Sequence, residues 1–308
     1  FYSKRIFFDA SIYSVADNYA EFSHNDYPLL VPAFSSSFAF LVGYWHEVFP
    51  KSAFTFIYLA PLIFLSSYLN NKKYIIFLSV LIFFIGQYLF NGGADGIVSV
   101  YFITCAFCFY YIFFEKNNEK IDSIFYILTV LFCASLALIK NEGLALLLVI
   151  FTTTVLIKLF ERKMLNSEFI KKILVLSVSF LPMLLWKLFC YKNNIANDYV
   201  NVHFLDQVLS RISSVENYEL FFHYFFFCNE KVIIALAIFL ISFYVNFNKK
   251  LFYYSLLIFF SYLTIILLIH FSTPLDYLHQ LETSSFRIVK TFTLLLGFFA
   301  VYNIKIQK

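Results

Sequence analysis

Residues 144–160 read LALLLVIFTTTVLIKLF, a run with a single charge and no alternation of polar and apolar positions. A helix rises 1.5 Å per residue, so about 20 such residues cover the ~30 Å hydrocarbon layer of a bilayer. A membrane strand would instead alternate over about ten positions. Comparable blocks recur on both sides of this run. They predict membrane helices at about 53–69, 74–90, 97–114, 122–139, 143–160, 173–190, 232–247, 252–271 and 288–304. Apolar residues make up 61% of the 308 positions and charged residues 14%. A soluble domain is about half apolar and a quarter charged, and blocks like these would leave it almost no polar surface. The expected fold is therefore an all-α polytopic transmembrane helical bundle, one membrane domain over residues 1–308 with about nine spans.

The links between spans alternate in character. One set is short and basic: NNKK at 70–73, EKNNEK at 115–120, ERK and KK between 161 and 172, NKK at 248–250 and KIQK at the end. These links carry more than half of the 23 Lys and Arg but only about a quarter of the 19 Asp and Glu. The positive-inside rule places them in the cytoplasm. Segments 1–52 and 191–231 then fall outside, with the short links 91–96, 140–142 and 272–287, and most carboxylates face that side. In a bacterial inner (cell) membrane it is the periplasm. Segment 33–49 is apolar but holds three serines, His46 and Glu47. It is expected as a helix lying on or dipping into the outer surface, within an outer loop of juxtamembrane helices. The chain opens in FYSKRIFFDA without an initiating Met, and a further helix is expected upstream.

A net charge of +4 gives no reason to expect a nucleic-acid partner. Cys105 and Cys108 form a C-x-x-C inside an apolar span, where small packing residues account for them. Cys190 and Cys228 would flank one outer loop, and nothing in the sequence supports a bond between them.

Five outer segments carry chemistry. If residues 9–21 are helical, Asp9, Tyr13, Asp17 and Glu21 share one face. Asp9, which follows Ile-Phe-Phe, has the most apolar surroundings of them and is a candidate general base or metal ligand, the alternative being the solvated face of an amphipathic helix. His24-Asn25-Asp26-Tyr27-Pro28 is a turn stiffened by Pro28 and Pro32, able to hold His24, Asp26 and Tyr27 in place. Asn91-Gly92-Gly93-Ala94-Asp95-Gly96 admits a ligand close to the backbone at Asp95. Lys140-Asn141-Glu142-Gly143 sets a cation where topology disfavours one, beside the N–H groups that open the next helix, which makes an anion site. The alternative is a snorkelling lysine paired with Glu142. Glu282-Thr283-Ser284-Ser285-Phe286-Arg287 ends on an arginine whose planar fork suits phosphate, or which anchors the helix.

The order of these pieces resembles the multispan glycosyltransferases of the GT-C fold, especially the protein mannosyltransferase and aminoarabinose transferase group. An outer Asp is followed by an H-x-D-Y-P-like turn, a surface helix, a G-x-x-D-like turn, a K-x-E-G-like turn and an Arg before the last helix. The resemblance implies a sugar donor carried on a polyprenyl phosphate and a catalytic acid in the first outer loop, at Asp9. Many members have Asp-Glu at that point, where this chain has Asp9-Ala10. It also implies that Lys140 lies near the lipid phosphate, with Arg287 a looser match, and that Pro28 and Pro32 precede a juxtamembrane helix.

The function expected from these readings is transfer of a sugar from a polyprenyl-phosphate donor to a lipid, glycan or protein acceptor on the outer face. Asp9 and Asp26 are the candidate catalytic residues. His24, Tyr27, Asp95, Lys140, Glu142 and Arg287 are the candidate substrate-binding residues. No cofactor is demanded, and a divalent metal on the outer carboxylates is an option. The rivals are a multispan transporter or lipid-linked glycan flippase, a glycan polymerase or ligase, and a structural membrane subunit. Transporters place ionisable residues or broken helices near the midplane. Here the charges gather at span ends, with Lys158 and Lys187 near enough to the ends to snorkel.

Overall fold

The computed structural model describes residues 2–13, 25–76, 78–79, 94–115, 122–161, 166–195, 204–274 and 276–306. Two short helices come first, α1 (Tyr2–Asp9) and α2 (Leu30–Val42). At 1.5 Å per residue α2 is about 20 Å long, too short to cross the hydrocarbon. Gly43 ends it at φ +83°, a left-handed conformation that only glycine adopts without strain, and its N–H closes on Ala39 O at 2.9 Å. Phe40 packs on Phe7 of α1 at 5.0 Å between centroids.

Asp9 closes a helix and does not open one, which corrects the expected stripe between Asp9 and Tyr13. α1 ends at Asp9, and Ala10 takes φ +49°. Asp9 and Tyr13 therefore do not share a helix face, while Asp17 and Glu21 lie outside the described residues. The reason is local: Arg5, one turn earlier, donates to Asp9 at 2.9 Å and satisfies it from the N-terminal side.

The remaining helices are α3 (Ala53–Leu69), led in by a 3-10 turn at Phe49–Ser52, then α4 (Ala94–Phe114), α5 (Ser123–Ile139) and α6 (Asn141–Phe160). α7 (Ser167–Ser177) runs through a 3-10 turn into α8 (Leu181–Lys192). α9 (Phe204–Ile212), α10 (Val215–Phe222), α11 (Glu230–Val245), α12 (Lys249–Ser272) and α13 (Tyr277–Lys305) complete the chain. No strand occurs among the described residues. Asp122, Asn166, Asn248 and Asp276 cap α5, α7, α12 and α13, each accepting a bond from a backbone N–H of the first turn.

Six helical stretches are long and apolar enough to cross a membrane: α3 with its leading turn, α4, α6, α7 with α8, α12 and α13. α10, its following turn and α11 form a pair bent by 73°, a seventh crossing if taken as one. At 17 residues α5 is a shorter apolar helix. The chain is a multi-pass membrane protein. The span expected at 74–90 falls mostly outside the described residues.

α4 is the centre of the bundle. It is apolar on every side because nearly every side chain on it is buried, Phe102, Phe107, Phe109 and Tyr110 among the most deeply. Lipid tails are as apolar as the helices, so packing and inter-helix hydrogen bonds hold such a bundle together. Phe107 meets Phe298 and Tyr302 of α13 edge-on at 5.6 and 5.0 Å. Ser99 and Thr291 share a hydrogen bond of 2.7 Å between the same two helices.

The two ends differ chemically. At one, Lys158 and Lys250 flank Glu161 at 3.5 and 3.7 Å, and Lys305 donates to Tyr68 O. Asn303 and Asn246 there lock α13 to α11 through reciprocal bonds to backbone carbonyls. This end carries the basic links. Asp95, Lys140 and Arg287 meet at the other, so Leu69 and Ala94 lie at opposite ends of the bundle. All five cysteines are free, with only Cys228 exposed, so Cys190 and Cys228 are not bonded to each other.

This division sets a topology test. With Cys228 replaced, single cysteines at the exposed positions Ser213 and Lys249 are probed with a membrane-impermeant thiol reagent. Ser213→Cys is expected to react in intact cells and Lys249→Cys only after permeabilisation. The reverse pattern would invert the orientation.

Candidate functional site

The polar end of the bundle is built on a sharp elbow. Lys140 is extended, at φ −159° and ψ 155°, and is the single residue between α5 and α6. Helices joined this tightly press backbone on backbone, and Gly143 allows it. A Cβ at that position would sit 1.9 Å from Leu136 O and 2.9 Å from Leu136 C.

The elbow delivers Lys140 to two carboxylates. Its Nζ lies 3.0 Å from Asp95 Oδ1 and 2.9 Å from Glu142 Oε1, and 5.7 Å from the centre of the Tyr27 ring. Burial by itself would lower the pKa of Lys140, but Glu142 and Asp95 outweigh it, and the ammonium is held charged well above the ordinary lysine range. Arg287 Nη1 stands 3.5 Å from Asp95 Oδ2. Lys140 and Arg287, both expected near a lipid phosphate, converge on one group of the protein itself, the Asp95 carboxylate.

Asp26 lies beside this cluster and is 1% exposed. It accepts from Lys187 Nζ at 3.0 Å and from Asn141 Nδ2 at 2.8 Å, while Trp186 Nε1 donates to its backbone oxygen at 2.9 Å. Lys187 was expected to snorkel. Its ammonium turns to Asp26 instead, because a carboxylate withdrawn from water requires a partner. Lys158 is likewise paired, with Glu161 at 3.5 Å, and sits over the Phe114 ring at 4.6 Å.

A cavity of about 520 Å³ opens on this cluster, lined by Tyr27, Asp95, Lys140, Glu142, Lys187 and Arg287 with parts of α12 and α13. Three acceptor oxygens of lining residues, Asn141 Oδ1, Glu142 Oε2 and Gln280 Oε1, are buried with no hydrogen-bond partner among the described residues. The cavity thus offers cations that suit an anion and bare acceptors that suit hydroxyl groups.

The structure brings together Asp26, Tyr27, Asp95, Lys140, Glu142 and Arg287. Asp9 does not line this cavity and is paired with Arg5. His24 lies outside the described residues. Lys187, His270 and Gln280 also line the cavity and were not among the expected site residues. The first two carried a usable signal, a lone ionisable residue inside an apolar span; Gln280 carried none. Among the described residues no group of three or more His, Cys, Asp or Glu is gathered to hold a metal.

Fold and site together define a polytopic all-α membrane protein with an ion-paired cavity at the end opposite its basic links. Comparison with known protein families, curated proteins and solved structures finds no match to this chain.

Proposed function

We propose that this chain is a membrane glycosyltransferase that takes a sugar from a polyprenyl-phosphate donor and passes it to a lipid, glycan or protein hydroxyl. The reaction takes place at the outer face of the membrane, the periplasmic side of a bacterial inner membrane. The observation that carries this reading is that one cavity at a bundle end holds Lys140 and Arg287 together with acceptor oxygens that have no hydrogen-bond partner among the described residues. The Arg287 side chain is 45% exposed and only loosely engaged by Asp95, so its fork can turn to a phosphate. Glu142 Oε2, Asn141 Oδ1 and Gln280 Oε1 would receive sugar hydroxyls. As the sugar–phosphate bond breaks, Lys140 and Arg287 would meet the charge left on the lipid phosphate. The charges lie at helix ends and not at the midplane, which favours reaction at a surface over passage through the bundle.

The test uses the full chain reconstituted in vesicles with a labelled polyprenyl-phosphate sugar. Transfer of label and release of polyprenyl phosphate are expected together. Polyprenyl phosphate should bind in preference to the matching neutral polyprenol. A charge-assisted hydrogen bond contributes about 1.5–3 kcal/mol, so Arg287→Ala should weaken phosphate binding about ten- to a hundred-fold. Asp9→Asn, outside the cavity, should bind like the parent. Equal binding of phosphate and polyprenol would sink the donor assignment. Movement of the lipid across the vesicle without transfer would support the flippase reading instead.

A further inference from the structure

We propose that His270 and Ser284 form a proton relay in the wall of this cavity, taking the proton of the acceptor hydroxyl during sugar transfer. The proposal rests on the glycosyltransferase reading and adds to it the group that receives the proton, a role the outer carboxylate Asp9 was expected to fill.

His270 lies in the last turn of α12 and is 1% exposed. Its Nδ1 is 2.9 Å from Ile266 O, and a carbonyl can only accept, so Nδ1 carries the hydrogen. Nε2 is then the basic nitrogen, and it faces Ser284 Oγ of α13 at 2.8 Å. Ser284 Oγ also lies 2.6 Å from Gln280 O, another pure acceptor. The one serine hydrogen thus has two acceptors in reach and can swing to Nε2 when a second hydroxyl donates to Oγ.

The imidazole is held in this pose from three directions. Phe225 and Phe221 stand edge-on to it at 5.4 and 5.9 Å. Arg211 of α9 donates to the carbonyls of His270, Phe271 and Thr273 at 3.1, 3.2 and 2.8 Å and fixes the end of α12. A merely structural histidine would explain the bond to Ile266 and the flanking rings. It would not require the second nitrogen to face a serine that, like His270 itself, lines the cavity of Lys140, Glu142 and Arg287. The other ionisable groups about His270 are Asp95 from α4, Lys140 and Glu142 from the elbow, Arg287 from α13, Tyr262 on α12 itself and Arg211 behind the backbone. Ser284 is the side chain that hydrogen-bonds Nε2 among the described residues.

The step balances. The acceptor O–H breaks, its proton passes to Ser284 Oγ, and the hydrogen of Ser284 passes to His270 Nε2. The acceptor oxygen bonds to the anomeric carbon. The bond from that carbon to the phosphate oxygen breaks, and the phosphate keeps the electron pair beside Lys140 and Arg287. The imidazolium returns its proton through Ser284 to the released phosphate.

The experiment measures transfer from a polyprenyl-phosphate sugar by the reconstituted full chain from about pH 3.5 to 8, a range wide enough to take in protonation of an enclosed imidazole. The parent rate should fall toward acid as the imidazole is protonated. His270→Gln should be about a hundred- to ten-thousand-fold slower, as expected for loss of acid–base assistance, and should lose the acid limb. Ser284→Ala should be slowed as well. Both variants should bind polyprenyl phosphate like the parent, which also shows that they fold. If His270→Gln fails to bind, Ser284→Ala, the smaller change, carries the test. Parent-like rates and an unchanged acid limb in the variants overturn the relay and leave the glycosyltransferase reading standing. Absence of transfer by the parent overturns that reading and the relay with it.

Discussion

Gly143→Ala is expected to destabilise the protein by about 3 kcal/mol or more, at or beyond the upper end of what overpacking ordinarily costs. The added Cβ would fall 1.9 Å from a backbone oxygen, Leu136 O, and 2.9 Å from the carbon that carries it. No side chain can be trimmed to make room, because the clash is with main chain on both sides of the elbow. The helices α5 and α6 must separate, and Lys140, extended at their junction, moves with them. The site therefore fails together with the fold. Unfolding of the purified chain in detergent should show the loss, and polyprenyl phosphate binding should fall in parallel. Stability equal to the parent would mean that the elbow does not depend on close backbone contact.

Lys140→Ala is expected to be nearly as costly, for an electrostatic reason. The Lys140 side chain is 18% exposed and serves Asp95 and Glu142 at once. Removing it leaves Asp95 with the looser pairing to Arg287, at 3.5 Å, and strips Glu142 Oε1 of its ion pair, while Oε2 has no hydrogen-bond partner among the described residues. Breaking a buried pair from one side typically costs about 3–5 kcal/mol, most of it the penalty of the abandoned charge. The triple variant Lys140→Met, Asp95→Asn, Glu142→Gln removes all three charges and should recover most of the loss. It should not recover phosphate binding, since the cation is gone. Denaturation and binding measured on both variants separate the two roles. If the triple variant is no more stable than Lys140→Ala, abandoned charge is not the cause. The pKa of Lys140 is raised, so its contribution is fully present below the ordinary lysine value of about 10.4 and is lost only as pH climbs through the higher folded value. Stability between about pH 6 and 9 should show no loss traceable to this group.

The sequence by itself determined the class of protein and much of its wiring diagram. Apolar blocks of membrane-crossing length and the alternation of basic and acidic links are local signals, complete within about 20 residues. Lys140, Glu142 and Gly143 were legible for the same reason, being neighbours in a turn whose chemistry stands out between two apolar runs.

What only the tertiary structure decided is which distant residues meet. Asp26 and Lys187 are 161 positions apart and Lys140 and Asp95 are 45 apart. His270 and Ser284 belong to different helices. In a water-soluble helix the apolar stripe tells which face turns inward. α4 is apolar on every side, so the pattern leaves its rotation open, and the face that presents Asp95 is set by packing against α13 and the α5–α6 elbow. Asp9, expected as the catalytic acid, is paired with Arg5 one turn earlier, and the cavity forms instead from residues brought together across helices. Lys187 read as a snorkelling residue because its partner, Asp26, comes from the far end of the sequence. In a lipid-embedded bundle, polar side chains are placed by the partners they find across helices, and those partners are a property of the fold.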